Sequence, residues 1–116
     1  MRRTFFHSFQ YAWQGVVYCL KTQRNMRIHL LMAISACGLG WRLGLPAGEM
    51  AVLLLTIGLV IVAELLNTAV EKLVDLTCPH YHPLAKAAKD TAAGAVLAAA
   101  IIALAVGYYL FVPRLF

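Results

Sequence analysis

The stretch AVLLLTIGLVIVAELLNTAVEKLVDL, residues 51–76, decides how this chain reads. Residues 51–63 carry no charge, and from Glu64 onward the same segment turns polar along one side. Glu64, Asn67, Thr68, Glu71 and Asp75 are spaced by three, four and seven, and at about 100° per residue they fall within about a 100° arc of one helix face. They therefore line one groove over three turns. Glu64 follows the uncharged run directly, which puts it inside a bilayer leaflet or at its edge. An ionised carboxylate there costs several kcal/mol unless it is paired or wetted. A base held at that boundary suits removal of a proton from an alcohol.

Working outward, the rest of the chain is as apolar as this stretch. It has 116 residues, 62% of them hydrophobic, and a mean hydropathy of +0.76, more than a soluble fold of this size can hide. A first span is expected over about 26–45, ending at the Gly44-Leu45-Pro46-Ala47-Gly48 turn, and a second over about 50–76. Pro79 and Pro83 bracket a loop. A third span is expected over about 87–112, uncharged from Thr91 to Pro113, long enough to cross a bilayer core at ~1.5 Å per residue. Its alanine-rich start lets helices approach closely. Before the spans, Phe5, Phe9, Ala12, Trp13, Val16, Val17 and Leu20 recur at helical spacing, opposite Arg3, His7, Gln10, Gln14 and Lys21. This predicts an amphipathic surface helix over about 4–22. The fold class is thus all-α: an integral membrane domain over 1–116, with one surface helix and three transmembrane helices.

Charge gives the orientation. Ten Lys and Arg oppose five Asp and Glu, net +5. With the N terminus in the cytoplasm, Arg2, Arg3, Lys21, Arg24, Arg27, Lys72, Lys86 and Lys89 are inside and only Arg42 and Arg114 outside, as basic residues distribute in multi-pass proteins. Glu49 alone among the acids is then outside. The start, interrupted by His7, Ser8, Gln10 and Gln14, reads as a segment inserted without cleavage. The expected location is a membrane entered from the cytoplasmic side, with no nucleic-acid partner. Cys19, Cys37 and Cys78 follow no metal or redox spacing and read as small packing residues.

Across the loop, Lys86, Lys89 and Asp90 open the third span, Lys86 and Asp90 four apart. Taken alone they are snorkelling anchors. Beside two carboxylates on one face, whose mutual repulsion a divalent cation would relieve, they become the parts a phosphoryl transfer to a lipid hydroxyl requires. Spacing leaves other residues open. Asn67 and Thr68 can be helix glue. His80 and His82, flanking Tyr81, can be a solvated turn. His29 reads as a headgroup-level or helix-contact residue, and Tyr11 and Trp13 as an interfacial belt or a surface for an adenine. Neither a glycine-rich phosphate loop nor a soluble-kinase catalytic loop occurs in the sequence.

Four motifs then carry a resemblance. Ser8-Phe9-Gln10-Tyr11-Ala12-Trp13-Gln14-Gly15, Arg24-Asn25-Met26-Arg27-Ile28-His29, Glu64-Leu65-Leu66-Asn67-Thr68-Ala69-Val70-Glu71 with Asp75, and His82-Pro83-Leu84-Ala85-Lys86-Ala87-Ala88-Lys89-Asp90 closely resemble the prokaryotic diacylglycerol kinase family, and within it the undecaprenol kinase branch. The resemblance implies a homotrimer with active sites shared between subunits, using ATP and Mg2+. It implies Glu64 as general base toward the lipid hydroxyl with Asn67 supporting it, Glu71 on the magnesium, Lys89 and Asp90 at the phosphates, Tyr11 at the nucleotide, and the loop of His80, Tyr81 and His82 closing over it. It points to undecaprenol as acceptor, giving undecaprenyl phosphate for cell-envelope synthesis, with diacylglycerol as the alternative.

One position departs from the pattern. Where the family places a second metal-binding glutamate before the Arg-Asn pair, this chain has Gln23, whose amide offers magnesium a carbonyl oxygen but no charge. Gln23 is consistent with a weaker metal site, a natural sub-branch or a diverged activity, and it is the best evidence for the rival reading, a diverged, non-catalytic membrane protein. A small proton-coupled transporter is the reading an intramembrane carboxylate alone would permit.

Overall fold

The structure, a computed structural model, describes residues 4–116, so the inside placement of Arg2 and Arg3 lies outside the described residues. Four helices follow one another, α1 Phe5–Thr22, α2 Arg24–Arg42, α3 Ala47–Thr77 and α4 Pro83–Leu115, with no strand among the described residues. α3 packs chiefly on α4 and then on α2, and α1 touches α2 and α3.

Local chemistry sets each boundary. Thr4 caps α1, its Oγ1 accepting the His7 backbone N–H at 3.2 Å. α1 ends where Gln23 turns extended (φ −110°, ψ 113°). Arg27 Nη1, from the first turn of α2, then donates to the Leu20 and Lys21 carbonyls at 2.9 and 3.0 Å. Those acceptors have no partner inside α1, so the guanidinium acts as its C-terminal cap. α2 ends in a Schellman turn: Gly44 N–H donates to Trp41 O at 3.1 Å and Leu45 N–H to Gly40 O at 3.0 Å, with Gly44 at φ +69°. A Cβ on Gly40 would stand 2.9 Å from Leu45 Cδ1 and 3.3 Å from Leu53 Cδ2. The bare glycine is what lets the turn and α3 close onto α2. Gly44→Ala forces a side chain into the left-handed region and is expected to cost about 1–2 kcal/mol, read as an earlier midpoint in denaturant titration of the detergent-solubilised protein.

α4 begins at Pro83, one turn before the expected start at Ala87. Proline at the first helical position loses no hydrogen bond, because that N–H has no intrahelical partner. His82 supplies the cap, Nδ1 accepting Leu84 N–H at 3.1 Å. The connecting loop therefore shrinks to residues 78–82, and Lys86, Lys89 and Asp90 stand on the first two turns of a formed helix.

α3 and α4, of 31 and 33 residues, are long and apolar enough to cross a membrane. At ~1.5 Å per residue each exceeds a ~30 Å hydrocarbon core by several turns. α2 has 19 residues, carries Arg24, Arg27, His29 and Arg42, and falls short of the same standard. The interior is thin. Val60, Ala63 and Ala99 form its centre, with Val96 and Ala103 against them, while Leu55, Leu66, Leu104 and Tyr109 face outward. Small residues inside and large apolar ones outside is the arrangement of helices surrounded by lipid.

Ion pairs clasp the α3–α4 hairpin at both ends. Arg114 pairs with Glu49 at one end, and Lys89 Nζ meets Asp75 Oδ1 at 2.5 Å at the other. The polar half of α3 and the basic start of α4 thus share one end of the molecule.

Candidate functional site

Along the polar face of α3, burial falls off towards the 78–82 loop. Glu64, Asn67 and Thr68 are buried, Glu71 is half-buried and Asp75 is exposed. Glu64 is only 1% exposed, and its Oε2 has no hydrogen-bond partner. The side chain facing it is His29 of α2, with Nε2 3.8 Å from Oε2, beyond hydrogen-bond reach. Thr68 Oγ1 donates back to the Glu64 carbonyl at 2.9 Å and lies 3.4 Å from Cys19 Sγ of α1. That contact seats α1 against the Glu64–Thr68 turn of α3. Asn67 Nδ2 donates to Glu71 Oε1 at 3.3 Å, and Asn67 Oδ1 is buried without a partner. Two orphaned oxygens on one buried face are unusual, since such groups are nearly always satisfied. Each is free to accept a hydrogen bond.

Towards solvent the end of α3, the loop and the start of α4 enclose a cavity of about 360 Å³. It brings together His80, Tyr81, His82, Lys89 and Asp90, all singled out from sequence, with Asp75 on the facing wall. Asp75 takes Lys89, while Lys86 Nζ takes Asp90 Oδ2 at 2.5 Å. Anionic phosphate entering here would compete with Asp75 for the lysine. Cys78, beside the loop histidines, has its Sγ 3.4 Å from His80 O.

Glu71, Tyr11 and Gln23 do not border this cavity. Tyr11, on α1, has its ring centroid 6.5 Å from that of His7. Gln23 sits at the α1–α2 joint, its Nε2 donating to Thr22 Oγ1 at 3.3 Å.

Among the described residues no three His, Cys, Asp or Glu side chains gather as a metal cage. Magnesium does not need one, because it is commonly held by one or two carboxylates together with substrate phosphates and waters. Half-buried Glu71 and the orphaned Asn67 oxygen, both hard oxygen donors, fit such an ion arriving with a nucleotide.

Sequence reading missed the place of His29. It lies 35 residues before Glu64 on another helix, so no spacing links the two. The one available signal was that His29 closes the Arg24–His29 motif. Asp75 was read as a member of the stripe, and its pairing with Lys89 was likewise invisible.

The model of the prokaryotic diacylglycerol kinase family matches residues 10–111 of this chain. Over 109 residues the chain is 54% identical to a diacylglycerol kinase of Synechocystis sp., covering 93% of this chain and 62% of that protein. It is 42% identical over 111 residues to the undecaprenol kinase of Bacillus subtilis, covering 96% and 90%. To the diacylglycerol kinase of Escherichia coli K12 it is 31% identical over 93 residues, covering 80% and 76%. The chain thus spans about three-fifths of the Synechocystis relative and most of the Bacillus one.

Proposed function

Because the chain belongs to the prokaryotic diacylglycerol kinase family, we propose that it transfers the γ-phosphate of ATP to the hydroxyl of a membrane lipid alcohol, with undecaprenol as the favoured acceptor. The observation that carries this reading is Glu64: a carboxylate buried at the apolar end of a polar face, with one oxygen unpartnered. A soluble acceptor would not need its base at that depth. The Bacillus relative, matched over nearly its whole length, favours the polyprenol. The 54% identity to a diacylglycerol kinase supports diacylglycerol as a second acceptor.

In this reading Glu64 takes the hydroxyl proton as the lipid oxygen bonds to the γ-phosphorus, and the bond from that phosphorus to the β–γ bridging oxygen breaks, releasing ADP. Asn67 steadies Glu71 through its amide hydrogen bond. Lys89, released from Asp75, supplies positive charge at the phosphates, with Asp90 beside it and the His80 to His82 loop over the nucleotide. Magnesium bound with ATP would neutralise phosphate charge, held by Glu71 and, as a neutral donor, by Gln23. α2, α3 and α4 are taken as three spans with the N terminus and the site on the cytoplasmic side of a bacterial inner membrane. A homotrimer would let Tyr11 and Gln23 of one copy serve the cavity of a neighbour, which accounts for their distance from it within one chain.

The test is phosphate transfer from labelled ATP to a panel of lipid alcohols by the purified protein in detergent. Transfer to undecaprenol at a higher kcat/KM than to diacylglycerol is expected. The reverse order assigns the second acceptor, and no transfer to any alcohol overturns the kinase reading.

A further inference from the structure

The His29–Glu64 pair leaves a gap between two polar side chains. Nε2 and Oε2 stand 3.8 Å apart, too far to bond directly and close enough for one oxygen atom to sit about 2.8 Å from each. Glu64 Oε2 makes no hydrogen bond. The side chain of His29 is 19% exposed, against 2% for that of Glu64, so the gap is approached from the His29 side. On that side lies an apolar groove of about 630 Å³ between α2, α3 and α4, with His29 on its wall together with Ala33, Leu53, Val60 and Ala103. Apart from His29, Thr56 and the phenol of Tyr108, the groove's side chains are hydrocarbon or sulfur. Thr56 already donates its hydroxyl to Val52 O at 2.8 Å. Glu64 is not itself on the groove wall, so His29 is the polar group that joins the apolar groove to the gap in front of the carboxylate.

A lipid alcohol matches that pattern group by group. Its hydroxyl is at once a donor and an acceptor. It can give its proton to Glu64 Oε2 and accept from His29 Nε2–H, while its hydrocarbon chain lies in the groove. We infer that His29 is a second hydroxyl-binding residue, which holds the acceptor oxygen against Glu64 and stabilises the negative charge that develops on it as the proton leaves. This inference rests on the kinase reading and adds to it a residue on α2. A donor aimed at developing charge is worth more in the transition state than in the ground state. Its loss should therefore lower kcat as well as raise KM for the lipid.

His29→Leu keeps an apolar wall and removes the donor. It is expected to lower kcat/KM for the alcohol roughly 10- to 100-fold, the loss of one hydrogen bond to a group gaining charge, with KM for ATP unchanged. His29→Gln, which retains an N–H, is expected to recover part of the loss. A second measurement needs no variant. The O-methyl ether of the alcohol can still accept from His29 but has no proton for Glu64, whereas the deoxy hydrocarbon can do neither. The ether should inhibit the wild-type protein competitively and more tightly than the hydrocarbon. Equal inhibition by ether and hydrocarbon, or unchanged kcat/KM in His29→Leu, overturns the role of His29. A wild-type protein that phosphorylates no alcohol overturns the underlying kinase reading instead, so the two failures are distinct.

Discussion

Glu64→Gln is expected to reduce phosphate transfer by about a hundred- to ten-thousand-fold, the usual contribution of a positioned general base, while leaving both ATP affinity and folding intact. The amide has nearly the volume of the carboxylate, so no cavity opens beside Thr68 and His29. It cannot accept the hydroxyl proton. ATP affinity should hold because Glu64 lies at the buried end of the polar face, seven residues and about two turns from Glu71, the residue assigned to the magnesium that arrives with ATP. Stability should hold or rise. Glu64 is 1% exposed and one of its oxygens is unpartnered, so replacing a buried ionisable group by a neutral one removes a desolvation cost. Transfer from labelled ATP, nucleotide titration and thermal unfolding in detergent measure the three quantities. A fall in stability that tracks the fall in activity would make Glu64 a packing residue. Glu64→Ala should lose transfer to a similar extent, and comparing the two variants separates loss of the base from loss of volume.

The amino-acid pattern reached some parts of this structure and not others, for physical reasons that differ residue by residue. The helical character of residues 51–76 and the single polar face from Glu64 to Asp75 follow from local periodicity, which needs no knowledge of neighbours. The turn at Gly44 was legible for the same reason: a Gly-Leu-Pro run after an apolar segment ends a helix. Pro83 was harder. Proline closes loops and opens helices equally well, and the choice depended on His82 accepting Leu84 N–H, from a residue type that is not among the usual caps. The expected first span is the helix α2, but its arginines and histidine make it more polar than α3 and α4, because Arg27 caps α1 and His29 faces Glu64. Both are tertiary roles. The same limit applies to Lys89: its position near the start of α4 could be read, but its partner Asp75 lies on another helix. What the sequence showed was which residues share a face, and the fold added which faces meet.

Glu71 and Gln23 test the metal side of the site, and their substitutions should act in opposite directions. Glu71 is half-buried, and Asn67 holds its Oε1. This fixes one oxygen of the carboxylate and leaves the other to meet a cation. Removing an outer-shell partner of a metal ligand typically costs about 10- to 100-fold in affinity, so Glu71→Ala, which removes the charged ligand itself, should cost at least that much in magnesium-dependent ATP binding. Transfer measured at saturating ATP and magnesium should recover in part, since the base at Glu64 is untouched. Gln23→Glu adds a charged oxygen at the α1–α2 joint, where the Gln23 amide donates to Thr22 Oγ1. It should lower the magnesium concentration needed for half-maximal nucleotide binding and leave the pH dependence of transfer unchanged. Titrating nucleotide binding against magnesium in the wild-type protein and both variants resolves the assignment. If Glu71→Ala leaves the magnesium dependence unchanged, Glu71 is not the ligand. If Gln23→Glu does so, the neutral amide is not a weakened ligand, and the ion is held by Glu71 and the phosphates with water completing its shell, as magnesium sites with a single carboxylate permit.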